Sequence, residues 1–197
     1  MAISAKLVMD LRKRTGAGIM DAKKALKETD GDVDKAIKFL REKGLSKAAK
    51  KADRETKEGR IHAYIHNNNK LGVMVEVNCE TDFVAKTDDF ENLCNDLAMH
   101  IAATNPLGIS KDDIDEKVLE NEREIFKKKA LNAGKPEHIV DKIVDGQIKK
   151  YIKQNTLLEQ EFVKDPDKTV NEVIKQTVAK LGENIQISRF VRFNLGE

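Results

Sequence analysis

The chain has no tryptophan, two tyrosines, two cysteines and three prolines in 197 residues, and aromatics make up 5% of it. So few aromatics, without aromatic-basic interleaving of the kind that stacks bases, leave no platform for a single strand, so direct nucleic-acid binding is not expected. Cys79 and Cys94 are too few for a disulfide framework and form no Cys-x-x-Cys pair, so both read as buried thiols. No stretch approaches the roughly 20 apolar residues that span a bilayer. Met1-Ala2-Ile3-Ser4-Ala5-Lys6 also lacks the apolar run of a secretory signal. The expectation is a cytosolic chain without membrane contact.

Catalytic constellations are equally scarce. Thr15-Gly16-Ala17-Gly18 has the glycines of a phosphate loop but neither the preceding strand nor the following Gly-Lys-Ser/Thr, so the backbone cradle and its lysine are missing. There is no Gly-x-Ser-x-Gly elbow and no His-Glu-x-x-His. His62 and His66 stand four apart, a metal-ligand spacing on a helix, but their surroundings alternate like a strand and no third ligand is nearby. Glu80 and Asp82 have no histidine or second acid placed by local spacing to use them. The chain reads as a non-enzyme with no cofactor or metal.

What is present is charge and a clear change of period. Charged residues are 36% and apolar ones 40% of the chain, polar for a folded protein yet enough for a core. Residues 1 to 60 hold 17 Lys/Arg against 10 Asp/Glu, and the remainder 19 against 24. That asymmetry gives the N-terminal part either a solvated helical surface or a face for an acidic partner, protein or RNA.

From Ser4 to Gly44 the period is helical. Leu7, Val8 and Leu11 lie on one face of a first helix, Met20, Ala25 and Leu26 fall within a second, and Val33, Ala36, Ile37 and Leu40 form a third apolar stripe, with Asp32 as N-cap and Gly44 as the stop. A three-helix domain over residues 1–45 follows, then a charged linker over 46–58. The period next becomes two. Ile61, Ala63 and Ile65 alternate, Asn67-Asn68-Asn69 turn the chain, and Leu71, Val73, Val75, Val77 and Cys79 alternate again, which predicts a hairpin. Ile185, Ile187, Val191, Phe193 and Leu195 form a last strand whose apolar face Arg189 interrupts.

Between the strands the spacing predicts helices. The clearest has Phe90, Leu93, Cys94, Leu97, Ala98, Ile101 and Ala102 on one stripe behind Thr87 as N-cap. Others are expected over 115–133, 136–154 and 169–181. The expected fold class is α+β: an N-terminal helical domain and, over 59–197, a three-stranded antiparallel sheet packed by helices. Tyr64, Met74 and Phe190 are assigned to the opposite sheet face. A sheet apolar on both sides needs cover on both, from its own helices or from a second subunit.

Several segments, in this order, resemble the elongation factor Ts family of bacterial translation: LRKRTGAGIMDAKKAL at 11–26, CETDFVAK at 79–86, DLAMHIAATNP at 96–106, LLEQEFVK at 157–164 and GENIQISRFVRFNLGE at 182–197. The resemblance implies a ubiquitin-associated-like helical domain followed by a core domain. It also implies a guanine nucleotide exchange factor that binds the GDP form of the GTPase elongation factor Tu, disturbs its magnesium and phosphate site, and lets GTP enter. Carried over, Thr81, Asp82, Phe83 and Val84 would touch the helix bordering the client's magnesium, with Asp82 polar and Phe83 a wedge. Arg12, Ile19, Met20 and Lys23 would contact the client's nucleotide domain. Ile19 stands where the family often has Met.

Residue by residue, blander readings stand beside these. Phe83 either caps the core at the strand end or is left over for a partner. Ile19 and Met20 either pack a small bundle or face outward. Longer members of the family carry a second core half, so a chain of this length is expected to form a homodimer, with Arg189, Val191 and Phe193 near the junction. An RNA- or ribosome-surface adaptor and an enzyme with an unfamiliar site are the alternatives from other classes.

Overall fold

The computed structural model describes residues 3–197; Met1 and Ala2, part of the stretch read above for a signal, lie outside the described residues. Helix α1 (Ala5–Thr15) begins where the Ser4 hydroxyl accepts the Leu7 N–H at 3.2 Å, and it ends at Gly16, whose φ of 67° is the left-handed geometry of a helix stop. Helix α2 spans Ile19–Glu28. Helix α3 spans Val33–Ala49, and a carboxylate oxygen of Asp32 accepts the Lys35 N–H at 3.0 Å. Strands β1 (Glu58–Ile65) and β2 (Leu71–Cys79) are joined by a turn in which Asn69 takes a φ of 55°. There follow α4 (Asp82–Ala85), α5 (Asp88–Thr104), α6 (Glu116–Asn132), α7 (Glu137–Asn155), β3 (Glu161–Phe162), β4 (Asp165–Thr169), α8 (Val170–Leu181) and β5 (Ile185–Asn194). The fold is α+β, with a three-stranded antiparallel sheet in the order β1-β2-β5 and a separate antiparallel pair, β3-β4.

The chain forms two compact units. The first holds the residues through His62, Glu76–Asn95 and Glu172–Ser188. Val8, Leu11, Ala22, Ala25, Leu26 and Ala36 make its helical core, where alanine lets the three short helices approach closely. Of the two readings left open for Met20 the outward one holds, since it is exposed while Ala22 is buried on the same helix. One expectation fails. Helix α3 runs through Gly44, which has ordinary helical geometry and lies where an added Cβ would sit 3.4 Å from the Ala179 side chain; the glycine permits a close approach instead of stopping the helix. Outside the core, Lys43 and Lys47 converge on Asp21 at 2.7 and 2.8 Å and hold its carboxyl below the usual range. Arg41 grips both oxygens of Glu172 at 2.7 Å.

The second unit holds Ala63–Val75, Asp96–Asn171 and Arg189–Glu197. Helices α6 and α7 pack as a hairpin with their own core of Ala130, Val140, Val144, Ile148 and Ile152. The pair β3-β4 was not legible in sequence, since Asp165-Pro166-Asp167 reads as a turn and β3 is two residues long.

The sheet corrects the assignment of faces. Val73, Val75 and Val77 are buried, but Tyr64 and Phe190, expected outside, are half-buried, while Ile61, Ala63 and Ile65 are exposed. In β5 Ser188 and Arg189 are exposed in succession, so the alternation shifts phase there. Phe190, Arg192 and Asn194 thereby become the half-buried set, and Val191 and Phe193 face outward, followed by an exposed Leu195.

At the centre of this unit lies a buried histidine. His100 Nε2 donates to Gln160 Oε1 at 2.9 Å, and its Nδ1 accepts the Val163 N–H at 3.3 Å. Its ring stacks on Phe162 with centroids 5.8 Å apart. Both nitrogens are satisfied by the neutral form alone, and burial pushes the imidazole pKa below its ordinary 6.5. Unfolding restores the ordinary value, so the unfolded chain binds the extra proton first. Stability is therefore full above pH 6.5 and declines as pH falls below it. The thermal midpoint, followed from about pH 8 down to about pH 5, should drop, and His100→Asn should flatten part of that drop while lowering the midpoint at neutral pH.

Candidate functional site

Thr81 to Val84 lie where β2 leaves the sheet. Cys79 is fully buried and its thiol donates to the Thr81 carbonyl at 3.1 Å, which begins the turn out of the strand. Burial first, and then the nearby Glu183 charge, push the Cys79 pKa up to about 11, so it stays a neutral donor. Thr81 is the N-cap of α4, its Oγ1 3.4 Å from the Val84 N–H. Ala85 is buried and pins the end of the turn. Thr87 then closes it: its hydroxyl donates to the Val84 carbonyl at 2.8 Å and accepts the Phe90 N–H at 3.3 Å, capping α5 as its sequence position predicts.

Held from both ends, this single turn turns Phe83 outward. The ring is 80% exposed, so Phe83 does not cap the core; Phe90, seven residues on, is fully buried and fills that role. Lys86 donates to an Asp82 carboxylate oxygen at 2.6 Å across one helical turn; the ammonium holds the Asp82 carboxyl below its usual range, and the carboxylate raises the Lys86 pKa in return. The result is an apolar knob beside an exposed ion pair. Exposed ion pairs cost little to open, so Asp82 is available to another donor.

Three of the four N-terminal candidates share the start of α2. Ile19 and Met20 are 50% and 76% exposed, and Lys23 lies one turn further along. Arg12 is exposed in the last turn of α1. Gly16 and Gly18 flank the connection between them, with Gly18 the N-cap of α2. Among the described residues neither Arg12 nor Lys23 has an ion-pair partner, whereas Lys43 and Lys47 are both spent on Asp21. No group of three or more His, Cys, Asp or Glu among the described residues could hold a metal ion.

One participant escaped the sequence reading. Glu183, about a hundred positions away, accepts the N–H groups of Glu80 and Thr81 at 3.1 and 2.9 Å and the Thr81 hydroxyl at 2.6 Å. No local spacing could reveal a contact of that range.

Comparison with known proteins completes the description. A family model for Elongation factor TS matches residues 5–197. The elongation factor Ts of Thermoanaerobacter sp. (strain X514) is 60% identical over 195 residues, 99% of this chain and 96% of that protein. The elongation factor Ts of Desulfosudis oleivorans is 57% identical over 99% of this chain and 98% of its own length. That of Fervidobacterium nodosum is 53% identical over all of both.

The exposure of Phe83 has a direct consequence for stability. Phe83→Ala should leave unfolding within about 0.5 kcal/mol of the parent, whereas Phe90→Ala should cost about 3–5 kcal/mol. Chemical denaturation of the two variants side by side measures the difference.

Proposed function

The chain belongs to the elongation factor Ts family, and from that footing we propose that it binds the GDP form of elongation factor Tu in the cytoplasm and drives nucleotide exchange during translation elongation. The observation that carries this reading is a large apolar side chain, Phe83, held 80% exposed on a turn whose ends are capped and buried. An exposed phenylalanine on a fixed turn does not stabilise the free protein. It suits insertion into a partner.

No covalent step is needed. Exchange is linkage: whatever weakens GDP on the client is weakened by GDP to the same degree, so a transient ternary complex connects the two bound states. A nanomolar nucleotide is held by roughly 12 kcal/mol, and each tenfold loosening requires about 1.4 kcal/mol of contact made only in the nucleotide-free state. Several contacts must share that work. In this reading Phe83 enters between client helices, and Asp82 exchanges Lys86 for a donor on the client. The helix beside the client's magnesium then shifts, and the phosphates lose their hold. Thr81 and Val84 set the turn.

Residues 1–45 serve as the helical module, 46–58 as the charged connection and 59–197 as the core. Arg12 and Lys23 supply cations without ion-pair partners among the described residues, and Ile19 and Met20 an apolar patch, for the client's nucleotide domain. The outward positions of the sheet, Ile65, Met74, Val191, Phe193 and Leu195, form an apolar face suited to a second copy of the chain. Phe193 and Leu195 are 67% and 75% exposed. A homodimer would present two equivalent cores to the client.

Stopped-flow release of a fluorescent GDP analogue from elongation factor Tu tests the exchange reading. The protein should accelerate release, Phe83→Ala should lose at least roughly tenfold, and Arg12→Ala and Lys23→Ala should lose less, with the loss shrinking as salt is added. Release at the spontaneous rate would refute the proposal. Light scattering at micromolar concentration should show a dimer that Phe193→Asp converts to monomer; a strict monomer with full exchange activity would remove the dimer.

A further inference from the structure

The loop between α8 and β5 makes more polar contacts with the start of α4 than any local need explains. Gly182, with φ of 84°, closes α8 through its N–H to the Val178 carbonyl at 2.9 Å and releases the chain toward β5. Glu183 then takes three donors at once: the N–H groups of Glu80 and Thr81 and the Thr81 hydroxyl. The exchange is reciprocal, because Glu80 Oε1 accepts the Asn184 N–H at 2.6 Å. Asn184 itself is buried, and its amide donates to the carbonyls of Ala52 and Arg54 at 3.1 and 2.8 Å. Lys51 donates to the Gly182 carbonyl. Three residues, Gly182-Glu183-Asn184, thus hold both the entry of α4 and the chain that follows α3.

We propose that Glu183 is a positioning residue for nucleotide exchange: its carboxylate locks the Glu80-Thr81 backbone so that Phe83 is presented to the client in its bound geometry. The proposal rests on the exchange-factor reading above. Its physical basis is preorganisation. A four-residue helix has too few internal hydrogen bonds to hold itself, so without an outside acceptor the turn would sample many conformations and the client would bear the ordering entropy on binding. A carboxylate accepting three donors makes charge-assisted bonds, stronger than neutral ones, at the point where the chain leaves the sheet. Phe83 is 80% exposed, so little packing of its own fixes it and its placement depends on that anchor.

Glu183→Ala removes the acceptor and Glu183→Gln keeps the shape while replacing one oxygen by a donor that faces donors. Measured against the same fluorescent GDP complex of elongation factor Tu, Glu183→Ala should lower exchange roughly tenfold, mainly as a higher half-saturating factor concentration, and Glu183→Gln should fall between. Combined with Phe83→Ala, the Glu183→Ala loss should largely vanish, since a positioning residue acts only through what it positions. Full additivity, or parental activity in Glu183→Ala, would overturn the proposal.

Amide hydrogen exchange on the free protein decides the clamp without the client. The Glu80, Thr81 and Val84 amides should lose protection in Glu183→Gln while the amides of Val75 and Val77 keep theirs. Unchanged protection at Thr81 would overturn the proposal. If the parent protein itself fails to release GDP, the exchange-factor reading falls and the role in exchange falls with it, while loss of amide protection would still establish the clamp on Thr81.

Discussion

The Glu183 carboxylate answers a problem posed by the end of β2. A strand that stops being paired leaves backbone donors without partners, and the first N–H groups of a helix have none within the helix. Here the two situations meet at Glu80 and Thr81, and one carboxylate satisfies both amides and a hydroxyl. The Thr81 cap, the buried Ala85 and the outward Phe83 follow directly along the chain from this anchor. The thiol of Cys79 adds a neutral bond from beneath, which its raised pKa keeps available at any physiological pH.

The same economy shapes the N-terminal helices. A core built largely from Ala22, Ala25, Leu26, Ala36, Val8 and Leu11 is small, and a domain of this size is near the limit of independent stability. Its polar contacts are correspondingly organised, with Asp21 shared by Lys43 and Lys47, and with Arg41 bidentate on Glu172. While those cations are engaged internally, Arg12 at the end of α1 and Lys23 near the start of α2 have no ion-pair partner among the described residues. Apolar and basic side chains coexist there, a mixture typical of protein interfaces.

Much of this was readable from local pattern. The caps at Asp32 and Thr87, the turn at Asn69, the stripe of α5 and the separate helices α6 and α7 each follow from residues close together in the chain, and each stands where expected within a residue or two. Patterns failed where two neighbours compete for the same role. Met20 and Ala22 both suit an inward position, and the folded chain buries Ala22 and leaves Met20 exposed. In β5 the apolar residues on both sides of Arg189 fit a single alternating face, yet the phase shift at Ser188 and Arg189 sends Val191 and Phe193 outward and brings Phe190 inward.

The order of periods along the chain was enough to determine the α+β class, most helix ends though not that of α3, and the location of Thr81-Asp82-Phe83-Val84 at a strand exit, because caps, turns and stripes are interactions among residues a few positions apart. Which way Phe83 points, which sheet face is packed, and which residue anchors the turn belong to the folded chain, where positions as distant as 81 and 183 or 80 and 184 meet. Such contacts exist only once the chain has folded back on itself, and their identity depends on shape and donor geometry that no local spacing encodes.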